Sequence, residues 1–391
     1  MRSWSKRDKL TADVECVLVT AGKWPIHLLQ LAAYMPYHIR NGILSLKSTC
    51  QPLLLWNAIA LTASIWNILN YSKDPDKYKP SRLVSSTDSI VQTTTATAFL
   101  IFHKYLVIFA VVRRRRIARL WFRLNALVSN LIKNSSDRSV FMEKIQKVRA
   151  RTRNGALVVL FMPLTSDLIV MVSTIRAIYV GEVLPWQDSR ASDINFLLAS
   201  TVWCHETFLH GALSVWLSYL VRVQGVCLSV ISHRLARTKA GRSYYLTETL
   251  SKSVTDFDRV EEIAHEFNKL YGHLLLFDFC YNGFMSTYFA YISPNLLLEG
   301  NFGTALYSII SLFIVGHRLY IVSSACSSYQ AEAAEVQQNL LIIRTVATSV
   351  EEEVREQVIS NQTASERSYL YLTLFLPNRY PGRLSDYKNC M

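Results

Sequence analysis

A chain of 391 residues has the length of two or three soluble domains, but half of its residues are hydrophobic and 12% are aromatic. The apolar residues gather in runs of about 20, the length that crosses roughly 30 Å of hydrocarbon, so one all-α, polytopic membrane bundle is expected in place of separate soluble domains. The net charge of +13 does not point to nucleic acid: its main reservoir, Arg113–Arg153, adjoins an apolar run, where an anionic inner leaflet attracts each basic residue by about 1 kcal/mol.

Residues 1–50 read as a cytoplasmic arm. Met1–Asp8 is polar and lacks the apolar core and cleavage site of a signal peptide. Trp24–Leu46 is apolar but broken by Pro25, Pro36, His38 and Arg40, which makes it an interfacial or buried lead-in and not a span. The first span is Gln51–Asn70, followed by a short outer loop marked by Lys73, Asp74, Asp76, Lys77, Lys79 and two prolines. A second span runs from Ile90 to Val112; the polar run Gln92–Thr95 at its start is tolerable because threonines bond back to their own helix or across to a neighbour.

In Arg113–Arg153, Leu120, Leu124, Val128 and Leu131 recur at helical spacing, so the second and third helices are expected to continue beyond the membrane. The third span is Ala156–Val180, the fourth Phe196–Val221, the fifth Gly272–Ser293 and the sixth Gly303–Ala325. Between the fourth and fifth, Leu246, Leu250, Val254, Phe257, Val260, Ile263, Phe267 and Leu270 form a three-four repeat, with Asp256, Asp258, Glu261, Glu262 and Glu266 expected on the other face. Such a stripe needs a partner. It packs on the chain's own helices, or Phe257, Val260, Ile263 and Phe267 make a contact between subunits, and the two readings are compatible. The division expected is 1–50, arm; 51–325, six-span bundle; 326–391, a cytoplasmic helix and tail. The apolar stretch Tyr369–Leu376 is less than half a crossing.

Charge sets the orientation. The segments Met1–Cys50, Arg113–Arg153 and Arg222–Tyr271 hold seven, thirteen and eight Lys/Arg; Tyr71–Asp88, Gly181–Asn195 and Pro294–Phe302 hold four, one and none. Short loops rich in Lys/Arg stay inside, so both termini are expected in the cytoplasm, opposite to the G-protein-coupled layout. None of the seven cysteines falls in an outer segment and no pair has zinc spacing, so neither a structural disulfide nor a metal is expected. The sequons at Asn134 and Asn361 lie in inner segments and read as chance matches. Phosphate loops, nucleophile elbows and His-Glu-x-x-His are missing; His205-Glu206 is followed by Thr207, Phe208 and Leu209. Neither an enzyme nor a cofactor is expected.

Ionisable residues within spans are costly and count as functional candidates. Asp167 lies near mid-depth of the third span and Arg176 nearer its outer end, on opposite faces. Trp203, Glu206 and His210 share one face of the fourth. His103, Lys104, His205 and Asp278 also fall inside spans, whereas His317 and Arg318 sit where they could snorkel to the inner surface. On the fifth span Phe277, Tyr281, Phe284, Tyr288 and Tyr291 make an aromatic stripe, suited to a ring-shaped ligand or equally to a packing seam. The ligand-pocket candidates are therefore Asp167, Arg176, Trp203, Glu206, His210, Tyr281, Phe284 and Tyr288; each reads alternatively as an interhelical contact. As a transporter, the chain would use Asp167, Glu206 and His205 as ion or proton sites, but its two halves show no repeat.

From Leu246 to about Gln357 the chain resembles the insect gustatory receptors. Asp256–Leu276, with Phe257, Val260, Ile263, Phe267-Asn268 and Tyr271-Gly272, is similar to the helix entering that family's fifth span. Ser324–Ser328 and Glu332–Glu335 are similar to the segment just inside its sixth. The related odorant receptors share the architecture and remain an alternative. The resemblance implies a ligand-gated, nonselective cation channel in the plasma membrane of sensory neurons, a homo- or hetero-tetramer in contact with membrane lipid. It also implies an outward-facing pocket for a small tastant in each subunit, and seventh helices lining the pore. The family's closing pattern, Thr-Tyr, five apolar residues and Gln-Phe, is absent, and the resemblance stops around Ser360–Thr363. Read literally, six of seven spans are visible and the chain would not conduct alone, serving instead as a non-conducting regulatory subunit; a splice form, a truncated gene or a faulty gene model would each give this ending.

Overall fold

The computed structural model describes residues 17–31, 37–40, 43–46, 62, 86–133, 135–180, 190–240, 246–298 and 302–346; within them the side chains of 37–46, 86–100, 190–206 and scattered positions elsewhere, chiefly in 103–111 and 163–180, are outside the description. The expected first span apart from Thr62, residues 71–85, 181–189 and 299–301 of the outer loops, and the tail beyond Val346 thus lie outside the described residues.

Long helices dominate what is described. In chain order they are α1 (Lys23–Leu31), α2 (Ser86–Leu131), α3 (Ser135–Val180), α4 (Arg190–Ala240), α5 (Leu246–Leu298) and α6 (Phe302–Val346). Strands β1 (Tyr37–Arg40) and β2 (Ile43–Leu46) make one antiparallel hairpin in which Tyr37 pairs with Leu46. From α2 onward the helices have 45 to 53 residues, a rise of roughly 68–80 Å at 1.5 Å per residue. That is more than twice the hydrocarbon thickness of about 30 Å, so each helix has a membrane-scale part and a part that extends past it. The turn after Leu131 falls inside the basic segment Arg113–Arg153, so the second and third helices do continue, and meet there.

α4 is the axis of the bundle, packed by α1, α2, α3, α5 and α6. Its sequence explains this: from Leu209 to Ser232 it is buried on every side, as a helix apolar all round must be. Thr207–Thr238 and Ala305–Ile343 are, among the described residues, the stretches long and apolar enough to cross a membrane by themselves. Close approach to α4 is made possible by glycine. A Cβ at Gly211 would lie 2.5 Å from Val159 Cγ1 on α3, and one at Gly22 would lie 2.7 Å from the Tyr219 ring. Tyr219 in turn donates its hydroxyl to Leu18 O at 2.6 Å. The lead-in at Trp24 is accordingly helical and buried along one face by Pro25, Ile26, Leu28 and Leu29, with Trp24 and Leu31 exposed on the other.

At the basic end the stripe on α5 packs inward: Leu250, Val254, Phe257, Val260, Ile263, Phe267 and Leu270 are all in the chain's own core. Asp256 departs from the expected charged face. It is buried and accepts from Arg234 Nη1 at 2.8 Å, while Arg234 Nε and Nη2 reach Asp137 Oδ2 at 3.2 and 3.0 Å. One guanidinium thereby joins α3, α4 and α5. The remaining helices are tied at the periphery. Arg123 of α2 bonds Glu262 and Glu266 of α5, and Lys144 of α3 reaches Glu332 of α6 at 3.4 Å. Such exposed pairs contribute little individually. α5 also runs one turn past Pro294, where the expected span stopped; a proline this close to the helix end removes one of the last backbone bonds without ending the helix.

Candidate functional site

Three buried ionisable side chains, one each from α4, α5 and α6, come together at one place. His210 of α4, whose side chain is fully buried, puts Nδ1 3.3 Å from Asp278 Oδ1 of α5. Arg318 of α6 is also buried and donates Nη2 to the Thr207 carbonyl of α4 at 2.6 Å. It lies within electrostatic reach of Asp278, Tyr281 and His210. The expectation that Arg318 would snorkel to the inner surface is therefore overturned: it is held inside the bundle by the Thr207 carbonyl, with the Asp278 carboxylate within electrostatic reach. His317, next to it, is half-buried.

Aromatic rings enclose this cluster from a fourth helix. Phe102 of α2 stands with its centroid 4.8 Å from His210 and 6.2 Å from Tyr281, and His210 and Tyr281 are 5.7 Å apart. Phe277 stacks on the outer side of Phe102 at 5.9 Å. Ring faces with a few fixed polar groups are the usual lining of a small-molecule site. Below the cluster a cleft of about 70 Å³ runs between α4, α5 and α6, with Asp278 and Arg318 at one end and Gln224, Asn268 and Tyr329 toward the other.

The candidates from the sequence divide accordingly. His210 and Tyr281 come together. Tyr288 sits half-buried in a small cluster with Met285, Phe289 and Val315, and Phe284 is 44% exposed. The aromatic stripe is rotated from the inward face of α5, which is set instead by Leu274, Asp278, Tyr281, Asn282, Met285 and Phe289; Phe277 and Tyr291 are each 60% exposed. Asp167, Arg176, Trp203 and Glu206 lie on α3 and α4 with side chains outside the description. Phe257, Val260, Ile263 and Phe267 are covered by the chain's own helices. Sequence reasoning missed Asn282, which is completely buried; its spacing of four from Asp278 was the available signal. Among the described residues no group of His, Cys, Asp or Glu is placed to hold a metal.

The bundle of long helices has the fold of a solved receptor. The structure superposes on the insect olfactory receptor OR5 from Machilis hrabei with a TM-score of 0.64, at 13% identity over 88% of each chain. The same receptor in complex with eugenol superposes with a TM-score of 0.64 at 12% identity, again over 88% of each chain. Residues 26–360 match the model of the 7tm chemosensory receptor family. The chain belongs to that family and is a membrane protein with the family's helical-bundle fold. No curated protein matches it.

Proposed function

We propose that the chain is a chemosensory receptor subunit of gustatory type, which binds a small tastant inside its own helical bundle and passes the event to a cation-conducting assembly. The observation that carries this reading is the convergence of Phe102, His210, Asp278, Tyr281 and Arg318 from four helices onto one junction. That junction has a ring-lined wall and fixed polar groups, the composition of a ligand site, and it joins helices whose far ends reach the basic end of the bundle. Binding that favours one arrangement of α4, α5 and α6 shifts the population of the whole bundle. The solved relative in complex with eugenol supports a bundle of this shape as a holder of small organic molecules.

The division into arm, six-span bundle of residues 51–325 and cytoplasmic helix with tail belongs to the same proposal. So does the placement of both termini in the cytoplasm of a sensory neuron, supported by the Lys/Arg asymmetry. Asp167, Arg176, Trp203 and Glu206 are proposed as the outer wall of the pocket, with Phe284 on its lipid-facing edge and Tyr288 above the junction. A tetramer with copies of itself or with other receptor subunits is the proposed assembly, in contact through exposed positions beside Phe257, Val260, Ile263 and Phe267.

The test is electrophysiological. Sugars, alkaloids and phenolics are applied to cells expressing the chain alone and together with other receptor subunits, with surface expression measured in parallel. A concentration-dependent current, or a concentration-dependent change in a partner's current, supports the reading, and these two results separate a conducting subunit from a regulatory one. Substrate uptake with no effect on current in either setting would overturn it in favour of transport.

A further inference from the structure

The basic end of the bundle holds a second open space, far from the aromatic junction. A pocket of about 390 Å³ lies between the end of α2 and the start of α5, lined by Asn130, Lys133, Lys252, Thr255, Asp256 and Arg259. Asn130 is in the last turn of α2 and Lys133 just beyond it. Lys252, Thr255 and Arg259 are spaced three and four apart on α5, so they share one face. These three and Lys133 are exposed, and the volume is in the range of small-molecule sites.

The walls are cationic. Neither Lys133 nor Lys252 has a hydrogen bond or an ion pair among the described residues. Arg259 reaches Asp256 Oδ1 at 3.5 Å and keeps half of its side chain exposed. Asp256 itself is buried and engaged by Arg234, which it shares with Asp137. That trio has one carboxylate in excess, against which Lys133, Lys252 and Arg259 set three cations, so the pocket stays positive. A phosphate monoester carries about −1.5 to −2 near neutral pH, which matches this excess. Asn130 and Thr255 supply neutral donors beside the cations, and charge-assisted bonds from Arg and Lys to phosphate oxygens are among the strong ones. The volume leaves room for the rest of the ester.

Depth selects the source of the phosphate. Lys252 stands on the same unbroken helix as Gly272, where the fifth span begins, twenty residues before it; Asn130 stands eighteen beyond Val112, the end of the second. At 1.5 Å per residue the pocket is roughly 27–30 Å below the hydrocarbon, whereas the headgroup layer on each side is only about 5–8 Å deep. A dissolved molecule reaches it and a lipid phosphate does not.

We propose that this pocket binds a cytosolic phosphate ester, which ties the end of α2 to α5. The cytosolic source rests on the proposed spans and orientation.

Binding is measured on the full-length chain in phosphatidylcholine nanodiscs at physiological salt, which screens loose surface association. Glucose phosphate, adenosine monophosphate and inositol trisphosphate are each compared with the parent compound lacking phosphate. At least one ester is expected to bind saturably, about tenfold or more tighter than its parent, and to raise the melting temperature. Lys133→Gln combined with Lys252→Gln should weaken that binding about tenfold or more, the scale of one lost charge-assisted bond. The unliganded melting temperature should not change, because neither lysine has a partner to lose. Arg151→Gln combined with Arg153→Gln, which removes exposed cations of α3 outside the pocket, should leave binding as it was. No saturable binding of any ester, equal binding of ester and parent, affinity retained without the two lysines, or an equal loss in both double variants would each overturn the proposal. Displacement of inositol trisphosphate by phosphatidylinositol bisphosphate built into the disc would overturn it in favour of a lipid headgroup. Failure of the tastant reading is distinguished by current recordings, which none of these measurements uses.

Discussion

The Arg234 guanidinium closes on the Asp137 carboxylate with two nitrogens, Nε at 3.2 Å and Nη2 at 3.0 Å, and its third nitrogen meets Asp256 at 2.8 Å. All three side chains are less than one-tenth exposed. Removing the cation takes the main partner from two buried carboxylates, of which Asp256 keeps only Arg259 Nη1 at 3.5 Å among its ion pairs, and breaking a buried pair in this way costs about 3–5 kcal/mol. Arg234→Met should therefore lower the melting temperature of the detergent-solubilised chain sharply and reduce its surface expression. Replacing all three residues with apolar side chains should recover most of the loss, since a well-packed apolar substitute for a buried ionic cluster is often neutral.

Gly211 makes a second kind of demand on the bundle. Its missing side chain is what lets Val159 of α3 seat against α4. Gly211→Leu should cost about 1–3 kcal/mol through overpacking, read as a lower melting temperature. Val159→Ala in the same chain should restore part of it, while Gly283→Ala, where a Cβ meets nothing within 4 Å, should be tolerated.

These two features show what could be read from sequence. The inward stripe on α5 from Leu250 to Leu270 was legible because one face of a helix repeats every three or four residues whatever it packs against. The helical continuation through Arg113–Arg153 was legible for the same reason. Asp256 was not: it shares its part of the helix with Asp258, Glu261 and Glu262, and only a partner 22 positions back, Arg234, draws it inward. Arg318 next to an inner boundary looks like a snorkelling residue until the Thr207 carbonyl and Asp278 are brought beside it from other helices. The aromatic stripe was legible as a stripe but not in its rotation, because the lipid-facing and inward edges of a membrane helix are both apolar. Asn282 had only its spacing of four from Asp278 to mark it.

Two side chains reach the N-terminal lead-in: Thr152 donates to Ala21 O at 3.4 Å and Tyr219 donates to Leu18 O in a fully buried setting. Leu18 O also accepts from Gly22 N at 2.8 Å, so Tyr219→Phe removes one of its two bonds, at a cost of about 0.5–1.5 kcal/mol. The loss should be local: faster amide exchange and earlier proteolytic cleavage around residues 17–31, with exchange in the middle of α4 unchanged.

Charge balance at the junction can be tested by pairs of substitutions. Asp278→Asn removes the carboxylate that meets His210 and lies within electrostatic reach of Arg318, and should lower the melting temperature. Adding Arg318→Met should recover a large part of that loss, and the non-additivity measured by the double-mutant cycle reports the coupling directly. Additive effects would mean that the two groups do not interact.

Whether a ligand sits against the His210–Tyr281 face of the α2–α4–α5–α6 junction is decided most simply by thermal denaturation. The ligand-induced rise in melting temperature of the purified full-length chain is measured across a panel of sugars, alkaloids and phenolics, and compared with Tyr281→Leu. A ligand at this face gives a saturable rise for at least one compound in wild type and loss of that increment in the variant, whatever the variant's unliganded stability. An increment of equal size in both proteins, or no increment for any compound, would contradict binding there.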